Sequence, residues 1–206
     1  KDLQIDEEPF AGDDPIINLE LLKQLLSHES KTIRITSYSI LVASTKRARP
    51  VSLYIYGIVE DILEVYFVDD DPDSRSDFHS LTRNFILRVR DSTYALQKKL
   101  NTLNSKGLDM NNDEMIKQIE EAKEFLERLL NKIKTQITPG MTYQRLHLAF
   151  SLLISMITSG VDENVPKKYL DRKHLAYPFQ IQIYTGDIVR LLIDNISNNF
   201  DNIREC

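Results

Sequence analysis

Cationic side chains recur in the stretch DPDSRSDFHSLTRNFILRVRD, residues 71–91, which holds four arginines and one histidine. On a helix, with about 100° between residues, Arg75, Arg83 and Arg90 fall in one sector together with His79. Guanidinium groups suit phosphate because they carry a permanent charge and several N–H donors. This stripe is therefore the first candidate for chemistry, and that chemistry would be the binding of phosphate groups.

Two segments of the chain carry almost unopposed positive charge. Residues 83–99 hold five basic residues and one acid, and residues 31–50 hold five basic residues and no acid. A basic face can bind nucleic acid even where the net charge is negative, as it is here at −5. The residues that we predict to contact RNA are Arg83, Arg88, Arg90, Lys98, Lys99, Lys46, Arg47 and Arg49.

A second group of arginines recurs near the start of the second helix in each predicted helical pair. An arginine at this position most simply ties neighbouring repeats together. For Arg75, the expected partner is Asp71 or Asp73 in the preceding turn. The arginines to which we assign this structural role are Arg34, Arg75, Arg145 and Arg204.

The sequence shows no pattern typical of catalysis, a cofactor or a metal. Its six glycines are too far apart for a glycine-rich loop that binds a nucleotide or S-adenosylmethionine. The four histidines lack the spacing of a metal site, and the single cysteine, Cys206, adds little. We therefore predict that the protein is not an enzyme and holds neither cofactor nor metal.

Apolar periodicity predicts the elements that position these residues. Amphipathic helical segments come in pairs joined by short polar turns, and strand-like alternation is scarce. The predicted fold is all-α, an irregular α-solenoid of HEAT-like or armadillo-like helical hairpins that stack because no unit buries its apolar face alone. The predicted units are residues 16–50, 51–100, 113–160 and 178–206, with inserts at 101–113 and 161–177.

The chain is also expected to be a single segment, 1–206, of a longer array, because its fourth unit stops as the second helix begins. One cysteine excludes an internal disulfide framework and fits a reducing compartment. The longest apolar run, at 148–157, has about half the length of a membrane-spanning helix. We therefore predict a cytoplasmic protein that does not enter a membrane.

Three segments resemble the THADA family, in the same order along the chain. They are DSRSDFHSLTRNFILRVRDS at 73–92, FLERLLNKIKTQITPGMTYQRLHLAF at 125–150 and DIVRLLIDNISNNFDNIRE at 187–205. This family includes the fungal regulatory subunit of a tRNA ribose methyltransferase. The resemblance implies a large armadillo-type scaffold that helps modify the ribose 2′-hydroxyl at the first nucleotide of the tRNA anticodon loop.

The resemblance also implies the partners. They would be tRNA and a separate catalytic subunit of the methyltransferase, in a hetero-oligomer rather than a homo-oligomer, with S-adenosylmethionine held by the catalytic subunit. The arginine-rich motif that the family ties to activity is not found in this chain. The roles given above to individual basic residues therefore rest on charge pattern alone.

Two other functions stay open from the sequence. A protein-binding solenoid would dock an acidic or helical partner without contacting RNA, and a spacer segment would only separate the functional ends of a longer array. Salt dependence of tRNA binding distinguishes the protein-binding solenoid from an RNA groove, because the affinity of an RNA groove for tRNA falls steeply as salt rises. Charge reversal in the stripe would leave the activity of a spacer unchanged.

Overall fold

The computed structural model describes residues 18–44, 47–106, 112–162 and 181–196. Within these ranges no strand forms, and the extended backbone pairing is an isolated bridge between Asp162 and Ile181. The prediction of an all-α solenoid is confirmed. The helices are α1 (Leu19–Leu26), α2 (Lys31–Val42), α3 (Leu53–Val68), α4 (Pro72–Ser105), α5 (Asn112–Gln136), α6 (Tyr143–Thr158) and α7 (Gly186–Asn195).

Local sequence explains where several of these helices begin. The Asn18 side chain accepts hydrogen bonds from the first backbone N–H groups of α1. Asp71 caps α4 by accepting from the Ser74 N–H at 2.9 Å, and Pro72 occupies the first turn, where a missing N–H costs nothing. Gly140, in the turn before α6, has a φ of 90°, which favours glycine. Polar turns therefore separate the helices where the sequence predicts them.

The helix α4 is longer than expected. It continues to Ser105, five residues past the predicted end of its unit at Leu100, so residues 101–105 of the first insert are helical. Hydroxyl groups bond back to the backbone here, from Thr102 to the Lys98 carbonyl and from Ser105 to the Thr102 carbonyl. The second insert and the end of the fourth unit lie largely outside the described residues, and the division into units stays a prediction.

The helices are arranged in two layers around α4. The second helices of the first three pairs lie side by side, because α4 packs against α2 on one side and α6 on the other. The first helices α3 and α5 pack together, and α5 also packs against α4. None of the helices in the described ranges combines the length and apolarity needed to cross a membrane.

Two aromatic residues on α4 anchor the core. The Phe78 ring lies between Tyr38 of α2 and Tyr66 of α3, with ring centroids 4.9 and 4.1 Å away. Two turns later, Phe85 meets Phe125 of α5 at 5.7 Å. Tyr38 is fully buried, and its hydroxyl pairs with the Thr82 hydroxyl on α4 at 2.9 Å, so the Tyr38 hydroxyl is not left unsatisfied. Burial raises the pKa of Tyr38, which keeps that hydroxyl protonated.

Arg34 connects two of the short turns between helices. Its Nη1 donates to the carbonyls of His28 and Glu29 at 2.9 and 3.0 Å, and its Nη2 lies 3.0 Å from Asp69 Oδ2. The two charged side chains are only 12% and 5% exposed. The α1–α2 turn is thus connected to the α3–α4 turn by a largely buried ion pair.

The other arginines given a structural role differ from one another. Arg75 donates to the backbone carbonyl of Asp69 at 2.7 Å, rather than to the expected carboxylate of Asp71 or Asp73. Arg145 Nη1 lies 3.9 Å from the Met141 sulfur, in the turn before its own helix. Arg204 lies outside the described residues.

Replacing Arg34 tests how strongly this connection stabilises the fold. Arg34→Gln leaves the buried Asp69 carboxylate with the Asp71 N–H and with Lys31, whose Nζ is 3.8 Å away, as its partners among the described residues. We expect the free energy of unfolding, measured by urea denaturation, to fall by about 3 kcal/mol. Lys132→Gln removes a partner from the exposed Glu64 and is the matched control, with a much smaller expected loss. Equal losses in the two variants would contradict this assignment.

Candidate nucleic-acid interface

A cleft of about 720 Å³ lies between the loop after α2 and the outer side of α4. It brings together side chains from both basic segments of the sequence, although more than forty residues separate them. On α4, Arg90, Tyr94 and Lys98 follow one another at four-residue spacing and therefore share a face. The charged and aromatic walls of the cleft are formed by Arg47, Arg90, Asp91, Tyr94, Lys98 and Lys99.

The cleft has a surplus of positive charge, with four cationic side chains and one carboxylate in its walls. Arg47, Lys98 and Lys99 are exposed, and none of them forms an ion pair within the described part of the chain. Three exposed cations around a cleft attract a polyanion at little desolvation cost. The arrangement is suited to phosphate groups that enter from solvent.

Arg90 has a different environment from the other cations. Its Nε and Nη2 donate to Asp91 Oδ1 at 3.0 and 2.8 Å, and its Nη1 donates to the Ser159 carbonyl at the end of α6. The side chain is only 12% exposed. Arg90 therefore links α4 to α6 at the edge of the cleft, and Asp91 offsets part of its charge.

Tyr94 was not among the residues predicted from the sequence. Its half-buried ring lies between Arg90 and Lys98 on the cleft face of α4. Aromatic rings interleaved with cations are typical of sites that hold single-stranded nucleic acid, because a base stacks on the ring while its phosphates meet the cations. The four-residue spacing of these three residues is the signal that would have found it.

Arg88 corrects the predicted RNA-binding set. Its side chain is 3% exposed, and its Nη1 donates to the carbonyl of Val42, the last residue of α2, at 3.2 Å. A cation at this end of a helix is favourable because the last carbonyls carry partial negative charge. The prediction that Arg88 contacts RNA is wrong, since it lies inside the wall and caps a neighbouring helix.

The remaining predicted residues do not join the cleft. Arg83 is exposed on α4, about two turns before Arg90, and Arg49 is half-buried in the loop after α2. Neither is among the cleft walls. Lys46 lies outside the described residues. The structure thus unites Arg47, Arg90, Lys98 and Lys99 and separates them from the other predicted contacts.

A metal site has no support in the described ranges. No three histidine, cysteine, aspartate or glutamate side chains cluster there as metal ligands would.

Comparison with known proteins gives a family and a curated relative. The family described as "Trm732, TPR repeats" matches residues 1–205. The "tRNA (32-2'-O)-methyltransferase regulator trm732" of Schizosaccharomyces pombe is 25% identical over 202 residues, which are 95% of this chain and 13% of the relative. This chain therefore spans a small part of that protein's length. No solved structure matches the chain. The family's description names TPR repeats, and the HEAT or armadillo type stays a prediction.

Substitutions at Arg88 and at Lys98 should change the free energy of unfolding by different amounts, although the sequence predicts that both residues contact RNA. Arg88→Gln removes the charged donor from a buried carbonyl, so we expect the free energy of unfolding to fall by about 2 kcal/mol. Lys98→Gln changes an exposed side chain and should leave the free energy of unfolding nearly unchanged. Urea denaturation of both variants checks this. An Arg88 variant as stable as the Lys98 variant would show that the buried contact is unimportant.

Proposed function

Because this chain belongs to the family described as Trm732, TPR repeats, we propose that it is a non-catalytic, regulatory part of a tRNA ribose methyltransferase. The S. pombe relative is named a regulator of the tRNA (32-2'-O)-methyltransferase, which supports this role. The resemblance to the THADA family points to the same reaction, and we propose THADA as the wider family. The chain would act in the cytoplasm, within a hetero-oligomer.

The observation that carries the proposal is the cleft between the loop after α2 and α4. Arg47 lines it from the loop, and Tyr94, Lys98 and Lys99 line it from α4. From Arg90 to Lys98 the helix rises about 12 Å, which is room for more than one phosphate of a strand. Such contacts supply affinity and orientation but do not read sequence. The chain would hold tRNA by its backbone.

Catalysis in this scheme belongs to the partner. The catalytic subunit would bind S-adenosylmethionine and transfer the methyl group to the 2′-hydroxyl at the first nucleotide of the anticodon loop. The scaffold would contribute by holding tRNA and enzyme in one geometry, and such positioning can remove a large part of a reaction barrier. Loss of the cleft should therefore reduce methylation without removing the enzyme from the complex.

Charge reversal in the cleft tests tRNA binding directly. We expect the double variant Lys98→Glu and Lys99→Glu to bind tRNA at least about tenfold more weakly at low salt, because two phosphate contacts become repulsive. The slope of log affinity against log salt should fall by about two. The matched control is Lys117→Glu and Lys123→Glu, the same charge change at exposed positions on α5. It should bind tRNA almost as the unchanged chain does.

The outcomes separate the candidate functions. Equal weakening in the two double variants would mean that net charge alone attracts tRNA, and the cleft would lose its role. If the unchanged chain binds no tRNA at any salt, the RNA-binding function fails and a protein-docking solenoid replaces it. In cells, we expect the cleft variant to lower ribose methylation while the methyltransferase still co-purifies.

A further inference from the structure

A second cavity, of about 200 Å³, lies between the first turns of α4 and α6 and is separate from the cleft. Among the described residues, its polar walls consist of cationic, imidazole and hydroxyl groups and include no carboxylate. Such a wall carries positive charge and no carboxylate, so it favours an anion. The polar wall residues are Arg75, Ser76 and His79 from α4 and Tyr143, His147 and Ser151 from α6.

His79 is held in one orientation within this cavity. Its Nε2 lies 3.1 Å from the Ser151 carbonyl and 2.8 Å from the Ser155 hydroxyl oxygen. A carbonyl only accepts, so Nε2 must carry the hydrogen, and Nδ1 is the position that gains a proton when the ring becomes charged. Protonation would therefore add a donor without breaking the contact between α4 and α6.

The electrostatic surroundings of His79 are positive. Burial lowers the pKa of His79, whereas the hydrogen bond to the Ser151 carbonyl raises it. The charges of Arg83 on the same helix and of His147 on α6 lower this pKa further. The acid Asp77, on the same helix, acts on Tyr66 in the core instead. Because the described residues that line the cavity include no carboxylate, an anion in the cavity would be attracted to these cations and would stabilise the imidazolium.

Arg75 and the N-terminal ends of two helices strengthen the preference of the cavity for an anion. The Arg75 contact with the Asp69 carbonyl fixes the guanidinium at the cavity and occupies one of its five N–H donors. Both α4 and α6 begin here, so the positive ends of their dipoles lie beside the cavity. The Ser151 hydroxyl already donates to the His147 carbonyl at 2.8 Å, so the donors left for a ligand come mainly from the guanidinium and imidazole groups. Such charged donors, placed on two helices, suit the several oxygens of a phosphate group.

We propose that this cavity binds one phosphate group of an RNA backbone, so that α4 holds the strand at two places. The assignment to RNA rests on the proposed function. An RNA backbone is favoured over other sources of phosphate because His79, Arg83 and Arg90 share one face of α4. This face leads from the cavity to the cleft. His79 and Arg90 are about 17 Å apart along the helix, with the exposed Arg83 between them.

Inorganic phosphate tests the cavity without requiring tRNA. NMR titration of the 206-residue chain should show the pKa of His79 rising by about one unit when phosphate replaces chloride at constant ionic strength. His147→Gln, at an exposed position, should reduce this rise. The matched control, Lys98→Gln with Lys99→Gln in the cleft, should leave the rise intact. A pKa of His79 that does not respond to phosphate overturns the proposal.

Binding of tRNA then tests the source of the phosphate. His147→Gln should weaken tRNA binding several-fold and should add to the loss in the Lys98→Glu, Lys99→Glu variant. If tRNA binding depends on Lys98 and Lys99 but not on His147, the cavity proposal fails and the cleft stands. If phosphate raises the pKa of His79 but the unchanged chain binds no tRNA, the assignment to RNA fails together with the proposed function.

Discussion

The burial of the apolar face of α4 is the constraint on which the rest of the structure depends. Phe78 and Phe85 stand two turns apart and pack against aromatic rings of α2, α3 and α5. These contacts fix the rotation of α4 about its own axis, since turning the helix would expose both rings. The polar side of α4 is thereby aimed at the loop after α2 and at α6, where the cleft and the smaller cavity lie.

Arginine has two opposite roles in this fold, and burial separates them. Arg34 and Arg88 are largely buried and donate to backbone carbonyls of neighbouring turns or helices. Arg47 and Arg83 are exposed, and their side chains reach solvent. A buried arginine must satisfy its donors within the protein, because an unpaired buried charge is costly. An exposed arginine keeps its donors available to a ligand. Arg90 lies between the two kinds, because it lines the cleft while most of its donors are used by Asp91 and Ser159.

In our proposals, one helix carries both the core and the binding surface. The binding surface does not require a net positive charge on the whole chain, because α4 separates its apolar residues from a basic side. Acids such as Asp69 and Glu64 pair with cations elsewhere. Contacts at both ends of the binding surface also cross to α6, from His79 to Ser151 and from Arg90 to Ser159. The geometry of the surface therefore depends on the packing of the repeats that it belongs to.

The sequence by itself determined the helices and the basic side of α4, because helical periodicity and capping are properties of the local chain. Plotting residues on a helix already set Arg88 apart from Arg75, Arg83 and Arg90. Tertiary structure alone decided that Arg88 is buried against Val42 and that Arg47 faces Lys98 across a cleft. The physical reason is that the distance between a loop and a distant helix depends on how side chains pack between helices. No residue spacing within one helix contains that information.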